Sequence, residues 1–579
     1  MTAVVEEPVT TRPDEPITVG QIARETAIAI AVGLVAAIAL TWPLVTRLGH
    51  IAHDPFDPRF QAWTIDWVQH SLRSPGSLFD ANIFAPEPNT LAYSDSLLGI
   101  AIPLLPLRWL GVSPIGQLNC ALLLGFATSA ASGYLFGRVA TRSVAVGTVT
   151  AAAFAFGPFG TLSSGALHAT AHAGVGVAAA AAWWLADRAE AGRPLRAPAV
   201  LMALAISWQA SVSFYPGAYA FGAAAVVLIV RCRALRTRGI LVALLALGAA
   251  LTCTLALAIP YLQVQQDQPT FARKLSDVPA LSADFGATDP RLTLWGPLLG
   301  QGHDWPVYGE PAFPGAVLLV LAPIGAIAGW RRQRRAVVTS GALVVTGVLL
   351  GLGAGPSGWR QYLPYRLLFE YVPGWAALRA TGRAWVVGLL GLGIVAGLGA
   401  VAVGRWVAKR SGWETRRAVA VVAAVAALGL LVEGYAPWTG RPDVRVAPVD
   451  EALAARHQPG GVLYLPAIEP GRTAGALSGF AQAENVYGTT AHHRRTPNGY
   501  SGFFPPSWKR LSVQMRTLPD EAALARLREL GVRFVVVRGW AAGGRWDALL
   551  DPRRARPLRF IGRYGHDLLY AVPAGTGGP

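Results

Sequence analysis

Long apolar segments that alternate with short basic loops constrain this chain more than any other feature of its sequence. Segments of this length and composition predict α-helices that cross a bilayer. Charged residues make up 14% of the 579 residues, whereas soluble domains carry about 25%. We therefore predict a polytopic membrane protein with about eleven spans, at 25–45, 117–137, 143–160, 168–186, 198–214, 216–231, 239–261, 313–330, 335–354, 384–404 and 417–437.

The placement of arginine and lysine predicts how these spans are oriented. If the N-terminus is cytoplasmic, the cytoplasmic loops total 43 residues and carry 18 Arg/Lys against 3 Asp/Glu. The opposite loops total 168 residues and carry 11 Arg/Lys against 13 Asp/Glu. Cytoplasmic loops are enriched in basic residues, so we predict the N-terminus inside and the C-terminus outside. These loops account for most of the net charge of +17, and no nucleic-acid partner is expected.

Three regions of different composition divide the chain. Residues 1–22 are polar and contain several prolines, which predicts a disordered cytoplasmic tail. Residues 23–437 contain the spans. Residues 438–579 have no apolar run of membrane length, which predicts a small extracytoplasmic α/β domain after the mainly α bundle. The elements predicted in this domain are strands at 462–465 and 532–537, a helix that opens at 519–521 and stops at Gly531, and a hairpin over 560–572.

The first outer loop, residues 47–115, contains the features from which we infer function. Asp54 and Asp57 each precede a proline, so both are predicted on a short, stiff turn and not inside a helix. After Pro58 the sequence predicts an amphipathic helix in the membrane interface. The apolar run 97–107 is short and interrupted by prolines, which predicts a re-entrant or interfacial segment. The apolar positions of the interfacial helix are Phe60, Trp63, Ile65, Trp67 and Val68, and its polar positions are Asp66, Gln69 and Arg73.

Asp54 and Asp57 are the candidate catalytic residues, and His53 beside them is a candidate substrate-binding residue. A carboxylate at the mouth of a membrane bundle can act as a general base, because a site against the membrane raises its pKa. The pair could also bind a divalent metal ion. The alternative is that two Asp-Pro pairs are ordinary turn formers. We favour the catalytic interpretation for Asp54 and regard the two interpretations as equal for Asp57.

Arg379 and Arg383 are candidate phosphate ligands. They lie four residues apart at the predicted outer end of a span, beside Trp375 and Trp385, so we expect one cationic face. Guanidinium groups bind phosphate oxygens in a bidentate manner. The alternative is that both side chains extend to lipid head groups at the interface.

Two further sets of residues are candidates for contact with a substrate. His168 and His172 lie four residues apart at the predicted start of a span and are expected to share one helix face. They could bind a ligand or form the polar lining of a cavity. The long outer loop 262–312 is either a substrate lid or a packed cap on the bundle. Its candidates are Lys274, Tyr308 and Glu310.

A loop of the predicted C-terminal domain, residues 498–506, combines glycine, proline and aromatic side chains. Aromatic side chains beside small polar residues suit contact with carbohydrate. The same composition suits a structured loop that docks on the bundle, and the sequence does not separate the two interpretations.

The arrangement resembles that of the GT-C superfamily of integral membrane glycosyltransferases, which includes protein O-mannosyltransferases, aminoarabinose transferases and actinobacterial arabinofuranosyl- and mannosyltransferases. The likeness rests on one N-terminal span, an outer loop with the stretch His53-Asp54 to Trp67, a many-spanned bundle and a C-terminal outer domain. It implies a polyprenyl-phosphate sugar donor, inversion at the anomeric carbon, and Asp54 as the base. The chain has Asp-Pro-Phe-Asp in place of the adjacent Asp-Glu pair of the O-mannosyltransferases, which leaves the choice between Asp54 and Asp57 open. Two further stretches resemble YfhO-like members: 84–89 and 378–383.

The resemblance implies a glycosyltransferase of the plasma membrane that transfers a sugar to an envelope glycan, lipid or protein on the outer face. No cofactor is implied apart from the divalent metal ion considered above. Two other classes stay open: a non-catalytic GT-C-like protein that assists assembly of envelope polymers, and a transporter or flippase. The interiors of the spans are nearly free of charge, which disfavours transport.

The predicted orientation can be tested by cysteine labelling. In a chain without its three native cysteines, a cysteine at position 334 should react with an impermeant maleimide only from the cytoplasmic side, because the loop that holds it is strongly basic. A cysteine at position 520 should react only from the outer side. Labelling of both positions from one side would overturn the orientation.

Overall fold

The computed structural model of the chain is mainly α-helical, as predicted, and it describes residues 18–73, 78–162, 166–300, 310–438, 440–468, 475–541 and 544–575. Most of the predicted disordered tail lies outside these residues, and so does Tyr308. The last residues of that tail are helical. Helix α1 begins at Val19, and the side chain of Thr18 caps it by accepting the N–H of Gln21 at 3.1 Å.

Each of the eleven predicted spans corresponds to a helix. Among the described residues, seven helices are long and apolar enough to cross a membrane, so the chain is a multi-pass membrane protein. The other four segments form helices of 13 to 17 residues, and the exact number of spans stays a prediction. In chain order the helices of this region are α1 (Val19–Leu40), α2 (Asp57–Ser71), α3 (Leu98–Ala101), α4 (Leu105–Trp109), α5 (Pro114–Thr141), α6 (Val144–Phe156), α7 (Pro158–Leu162), α8 (Leu167–Thr170), α9 (Ala173–Glu190), α10 (Arg196–Val212), α11 (Phe214–Val230), α12 (Cys232–Asp267), α13 (Gly296–Leu299), α14 (Ala316–Arg332), α15 (Arg334–Gly351), α16 (Tyr365–Tyr371), α17 (Trp385–Ser411) and α18 (Thr415–Glu433).

Small residues allow the bundle helices to pack closely. A Cβ atom on Gly325 of α14 would lie 1.8 Å from the carbonyl oxygen of Val395 in α17. A Cβ atom on Gly399 of α17 would lie 2.0 Å from the carbonyl oxygen of Leu321 in α14. Only glycine fits at both positions. Helices in membranes associate through such close approach, because lipid is as apolar as a leucine side chain and offers no hydrophobic driving force.

The apolar run 97–107 does not cross the bundle. It forms α3 and α4, which are four and five residues long. Leu97, at the start of α3, has a φ of 52°, so the chain changes direction there. This agrees with the predicted non-spanning segment.

The prediction that the helix after Pro58 lies in the membrane interface was wrong. The helix forms as α2, but its residues from Pro58 to Gln69 are buried. It packs against α5 and α3 of the bundle and against the C-terminal domain. An aromatic pattern in a sequence shows that a helix face is covered, but lipid and protein produce the same pattern.

Protein partners bind most of the polar side-chain atoms of α2, while Gln69 Oε1 is buried without a hydrogen-bond partner among the described residues. Asp66 accepts hydrogen bonds from Arg108 Nη1 at 2.6 Å and from His493 Nε2 at 2.7 Å. Gln69 Nε2 donates to Gln117 Oε1 at 2.8 Å. Burial of polar groups costs free energy unless they are hydrogen-bonded. These contacts therefore explain why Asp66 and Gln69, predicted to face water, lie in the interior.

The C-terminal region forms the predicted α/β domain around a four-stranded sheet. The strand order is β3-β4-β6-β5, in which β3 and β4 are parallel and the other neighbours are antiparallel. The predicted helix, the predicted stop at Gly531 and the predicted strands are confirmed. The strands are β1 (Ala283–Asp284) and β2 (Glu310–Pro311) in a loop of the bundle, then β3 (Gly461–Leu465), β4 (Val532–Val537), β5 (Arg559–Tyr564) and β6 (Asp567–Ala571), and the helices are α19 (Pro448–Ala454), α20 (Gly475–Gly488), α21 (Pro506–Gln514) and α22 (Glu521–Glu529).

One buried arginine joins several elements of this domain. Arg538 donates from Nη2 to Asp450 Oδ2 at 3.1 Å and from Nη1 to Asp567 Oδ2 at 2.8 Å. Its Nε donates to Asn485 Oδ1 at 3.1 Å. The hydroxyl of Tyr464 donates to the other oxygen of Asp450 at 2.7 Å. The cation thereby links α19, α20 and β6 at the end of β4.

Backbone hydrogen bonds attach this domain to the first outer loop. The N–H of Thr496 donates to the carbonyl of Asn82 at 2.7 Å, and the N–H of Phe84 donates to the carbonyl of Asn498 at 2.9 Å. Gly499 packs so closely on the ring of Phe84 that a Cβ atom would lie 2.5 Å from it. The loop around Gly499 therefore docks on the bundle, which was one of its two predicted roles.

Arg538→Leu should destabilise the C-terminal domain by about 3–5 kcal/mol, because Asp450 and Asp567 would stay buried without their cation. Limited proteolysis at increasing temperature monitors the unfolding of the domain and measures this loss of stability. Arg526→Leu is the matched control, since Arg526 pairs with Glu529 on an exposed surface at 2.8 Å and such a pair contributes about 1 kcal/mol or less. Equal losses in the two variants would show that the buried network does not stabilise the domain.

Candidate functional site

Asp54 lies on the turn that leads into α2, as predicted, whereas Asp57 was predicted on the same turn and lies in the helix. Asp57 is the first residue of the helix. Asp54 Oδ1 accepts the N–H of Phe56 at 2.8 Å, which closes the turn in the manner usual for aspartate. Asp54 Oδ2 lies 3.2 Å from His53 Nδ1. Both carboxylates are thus held by local backbone geometry at the entrance to a buried helix.

Asp57 lies among charged side chains that come from several elements. Its side chain is open to solvent, yet protein surrounds it on most sides, and its Oδ1 accepts the hydroxyl of Tyr500 at 2.7 Å. Burial raises the pKa of Asp57 above its usual value, and the charge of Asp54 adds to this. The hydrogen bond from Tyr500 and the charges of Arg383 and Arg379 lower the pKa but do not offset the effect of burial.

His53 is a buried neighbour of Asp54 and not an open ligand. Burial lowers the pKa of His53, so the ring is neutral at neutral pH. The ring packs edge-on against Trp438 with centroids 5.4 Å apart. The backbone carbonyl of His53 accepts a hydrogen bond from Arg441 Nη1 at 2.8 Å.

Arg379 and Arg383 do not share a helix face, so that prediction was wrong. Arg379 lies in the irregular stretch between two 3₁₀ turns, whereas Arg383 belongs to the second turn, Thr381–Ala384. Both guanidinium groups nevertheless lie close enough to Asp57 for their charge to lower its pKa. The structure therefore brings the two arginines to the aspartates by the folding of the loop.

The two arginines differ in their partners. Arg383 Nε donates to Glu310 Oε1 at 3.2 Å, and its Nη1 donates to His168 Nε2. The guanidinium also lies over the ring of Tyr215, 5.5 Å from its centroid. Arg379 makes no ion pair or side-chain hydrogen bond within the described part of the chain. Its charge is therefore the less compensated of the two.

His168 and His172 were predicted on one helix face, and this was wrong because the helix breaks between α8 and α9. His168 faces the cavity. His172 is buried in the bundle, with Nδ1 2.9 Å from the carbonyl of Ala169 and Nε2 3.1 Å from that of Phe154. Both of its ring nitrogens face backbone carbonyls, so His172 serves the packing of the bundle.

In the loop before α14, the predicted residue Glu310 lies in the site. Arg273, the neighbour of the predicted residue Lys274, lies there as well. Glu310 reaches the cavity and pairs with Arg383. Lys274 is exposed, while the adjacent Arg273 packs over the ring of Phe503 at 3.8 Å. Burial and the charge of Arg379 lower the pKa of Arg273 to about 10. Tyr308 lies outside the described residues.

Asp95 and Tyr215 also belong to the site and were not among the predicted residues. Asp95 Oδ2 lies 3.8 Å from His168 Nδ1, and burial raises the pKa of Asp95 to about 6. Tyr215 lies under Arg383, and its hydroxyl accepts the N–H of Ala380 at 3.3 Å. Neither belongs to a motif: Asp95 stands among serines in an irregular stretch, and Tyr215 precedes a Pro-Gly pair typical of a turn.

These side chains lie close enough to interact by charge across one space at the end of the bundle that carries the C-terminal domain. Carboxylates lie on the side of the first outer loop, and guanidinium groups lie on the side of the loop before α17. Each group feels the charge of its neighbours across the space. We name it the polar cavity, and its lining is Asp54, Asp57, Asp95, His168, Tyr215, Arg273, Glu310, Arg379, Arg383 and Tyr500.

A second recess lies on the far side of His53. It has apolar walls from α1, α5 and α6, and it contains two arginines, Arg291 and Arg441. Arg291 is paired with Asp289 at 2.5 Å. This recess contains neither Asp54 nor Asp57, so the candidate acid–base groups belong to the polar cavity.

The described residues contain no group of three or more His, Cys, Asp or Glu side chains close enough to hold a metal ion. The two aspartates alone offer too few ligands for a closed site, since Mg²⁺ and Ca²⁺ take about six or more oxygen ligands. A divalent ion bound by Asp54 and Asp57 would therefore need further ligands from a substrate or from water.

Comparison with protein-family models and with curated proteins found no match, but solved structures match in fold. The arabinofuranosyltransferase AftD from Mycobacteria superposes with a TM-score of 0.55 at 16% identity, over 95% of this chain and 42% of that one. The chain therefore shares the fold of this solved structure.

Two further structures are similar at a lower score. The archaeal oligosaccharyltransferase AglB from Archaeoglobus fulgidus, in complex with an inhibitory peptide and a dolichol-phosphate, gives a TM-score of 0.49 at 11% identity, over 90% of this chain and 69% of that one. ArnT from Cupriavidus metallidurans bound to undecaprenyl phosphate gives 0.49 at 14% identity, over 97% and 99%.

Tyr500→Phe should raise the pKa of Asp57 further, because the lost hydrogen bond stabilises the charged carboxylate. Protonated carboxyl groups react with carbodiimides, so the pH at which Asp57 becomes reactive should rise. Mass spectrometry of the modified peptide measures this midpoint. Asp443, on the exposed surface beside Arg445, is the internal control and should keep its profile. An unchanged midpoint at Asp57 would contradict the assigned hydrogen bond.

Proposed function

We propose that this chain is a membrane glycosyltransferase that moves a sugar from a polyprenyl-phosphate donor to an acceptor hydroxyl. The observation that supports this most is that Asp54 and Asp57 share the polar cavity with the guanidinium group of Arg379. Transfer from a phosphate ester needs a base for the acceptor and a positive group for the leaving phosphate. The fold shared with an arabinofuranosyltransferase is consistent with this activity.

In the proposed reaction the acceptor oxygen attacks C1 of the sugar while the bond from C1 to the phosphate oxygen breaks. The acceptor proton passes to an aspartate carboxylate, and polyprenyl phosphate leaves as an anion. Attack from the face opposite the phosphate inverts the anomeric centre. Each step uses groups that line the polar cavity, and none requires a redox cofactor.

We assign the base to Asp54. Its Oδ1 is fixed by the N–H of Phe56, and among the described residues the hydrogen-bond partner of Oδ2 is the neutral ring of His53. Asp57 is already bonded to the hydroxyl of Tyr500, so it would have to exchange this contact to take a proton. In this proposal Asp57 and Tyr500 orient the acceptor.

The phosphate site is assigned to Arg379 with Arg273 beside it. The charge of Arg379 lowers the pKa of Arg273, which shows that the two cations repel each other. An anion between them would relieve this repulsion. The charge of Arg383 is partly neutralised by Glu310, so Arg383 contributes less charge than Arg379.

The donor and acceptor are proposed by class. A polyprenyl chain would lie along the apolar surface of the bundle while its phosphate enters the polar cavity. The acceptor is an envelope glycan, lipid or protein, met on the outer face if the predicted orientation holds. Because AftD is named as an arabinofuranosyltransferase, pentosyl and hexosyl donors both belong in the assay.

Asp54→Asn should lower sugar transfer by about 10²–10⁴-fold, because it keeps the shape of the side chain and removes its basicity. The measurement is transfer from synthetic polyprenyl-phosphate sugars by purified protein. Asp57→Asn should lower the rate less. If a divalent ion bridges the two aspartates, a chelator should reproduce the loss. Asp80→Asn is the matched control, since Asp80 only caps the N–H of Asn89 in the same loop at 2.8 Å.

Failure of the wild type to use any such donor would contradict the glycosyltransferase proposal. Full activity of Asp54→Asn would contradict the assignment of the base. Either result would favour a non-catalytic protein that assists assembly of envelope polymers. Comparable losses in Asp80→Asn would show that the first loop, and not the carboxylate, is what transfer requires.

A further inference from the structure

Four charged or polar side chains form a continuous chain along one wall of the polar cavity. Asp95 Oδ2 lies 3.8 Å from His168 Nδ1. His168 Nε2 contacts Arg383 Nη1, and Arg383 Nε donates to Glu310 Oε1 at 3.2 Å. The four residues come from four separate elements, namely the loop before α3, α8, the turn before α17, and β2. The proposed transfer reaction gives no role to Asp95 or His168.

The contact with Arg383 determines which nitrogen of His168 carries the proton. A guanidinium group can only donate hydrogen bonds. Nε2 of His168 must therefore be the acceptor, and the ring must be the neutral tautomer with its proton on Nδ1. That N–H faces the carboxylate of Asp95. The negative charge of Asp95, 3.8 Å from Nδ1, therefore favours the tautomer that allows His168 to hold Arg383.

Asp95 is itself fixed by other partners. Its carboxylate accepts hydrogen bonds from the hydroxyl of Ser213 and from the N–H of Phe214, which belong to the start of α11. These bonds hold the charged carboxylate 3.8 Å from His168 Nδ1. Asparagine carries no charge, so Asp95→Asn would remove the electrostatic preference for a proton on Nδ1.

At the other end of this series of contacts, Arg383 keeps part of its guanidinium group available for a ligand. Its Nε and Nη1 are engaged by Glu310 and His168, while Nη2 makes no hydrogen bond within the described residues. The side chain is 24% exposed, so this edge is open to the cavity. A guanidinium with two fixed edges and one open edge presents its remaining N–H groups in a single direction.

We propose that Asp95 is a positioning residue that, through the tautomer of His168, aims the open Nη2 edge of Arg383 at a phosphate oxygen of the bound lipid. The proposal rests on the polyprenyl-phosphate donor proposed above. Arg383 supplies direction, and Arg379 supplies the uncompensated charge. Asp95 does not touch the ligand, so its effect on binding must pass through Arg383.

A double-mutant cycle tests this path. The probe is undecaprenyl phosphate, and the measurement is its Kd for the full-length protein in detergent, which needs no turnover. Asp95→Asn should weaken binding about tenfold, and Arg383→Ala should weaken it by at least as much. The double variant should bind no more weakly than Arg383→Ala alone. Asp80→Asn is again the control and should bind as the wild type does.

The cycle separates the alternatives. Losses that add in the double variant would overturn the proposal, because Asp95 would then act on the ligand directly or on the fold of the loop. If Asp95→Asn unfolds on purification, His168→Ala replaces it in the same cycle with the same expectation. Normal binding by Asp95→Asn would overturn this inference alone. No binding by the wild type would overturn both the donor class and this inference.

Discussion

The enclosure of α2 is the constraint on which the rest of this structure depends. The helix carries Asp66 and Gln69 into the interior, and it can do so only because the bundle and the C-terminal domain each supply partners. Asp66 needs Arg108 from the first outer loop and His493 from the domain. Removing Arg108 would leave the buried carboxylate without its cationic partner, and removing His493 would take away one of its hydrogen bonds. The position of α2 is therefore fixed by two parts of the chain more than 380 residues apart in sequence.

Because α2 begins at Asp57, this constraint also fixes the site. The C-terminal domain reaches the polar cavity directly, through the hydroxyl of Tyr500 on Asp57 and the ring of Phe503 under Arg273. The domain is thus a wall of the cavity and not an appendage of the bundle. The proposed reaction follows from the charges this arrangement holds together: two carboxylates on one side, and on the other an arginine without a carboxylate partner among the described residues.

Much of the fold could be predicted from the sequence because hydrophobic length and turn residues act locally. The eleven apolar segments became helices, and Gly531 ended a helix where expected. The surroundings of α2 could not be predicted, because an aromatic helix face gives the same sequence pattern whether lipid or protein covers it. The prediction that His168 and His172 share one helix face was wrong because the helix breaks at Ala171, and this break depends on tertiary packing. Asp95 could not be found because its partners, His168 and Ser213, are distant in sequence.

The most direct test of the account is a cryo-EM structure of the wild-type protein with undecaprenyl phosphate bound. The account predicts density for the phosphate inside the polar cavity, within hydrogen-bond distance of Arg379 and on the opposite side from Asp54. Phosphate density in the recess formed by Arg291 and Arg441, beyond His53, would contradict it. So would a lipid bound with its phosphate outside both spaces, because Asp54 would then have no reacting group within reach.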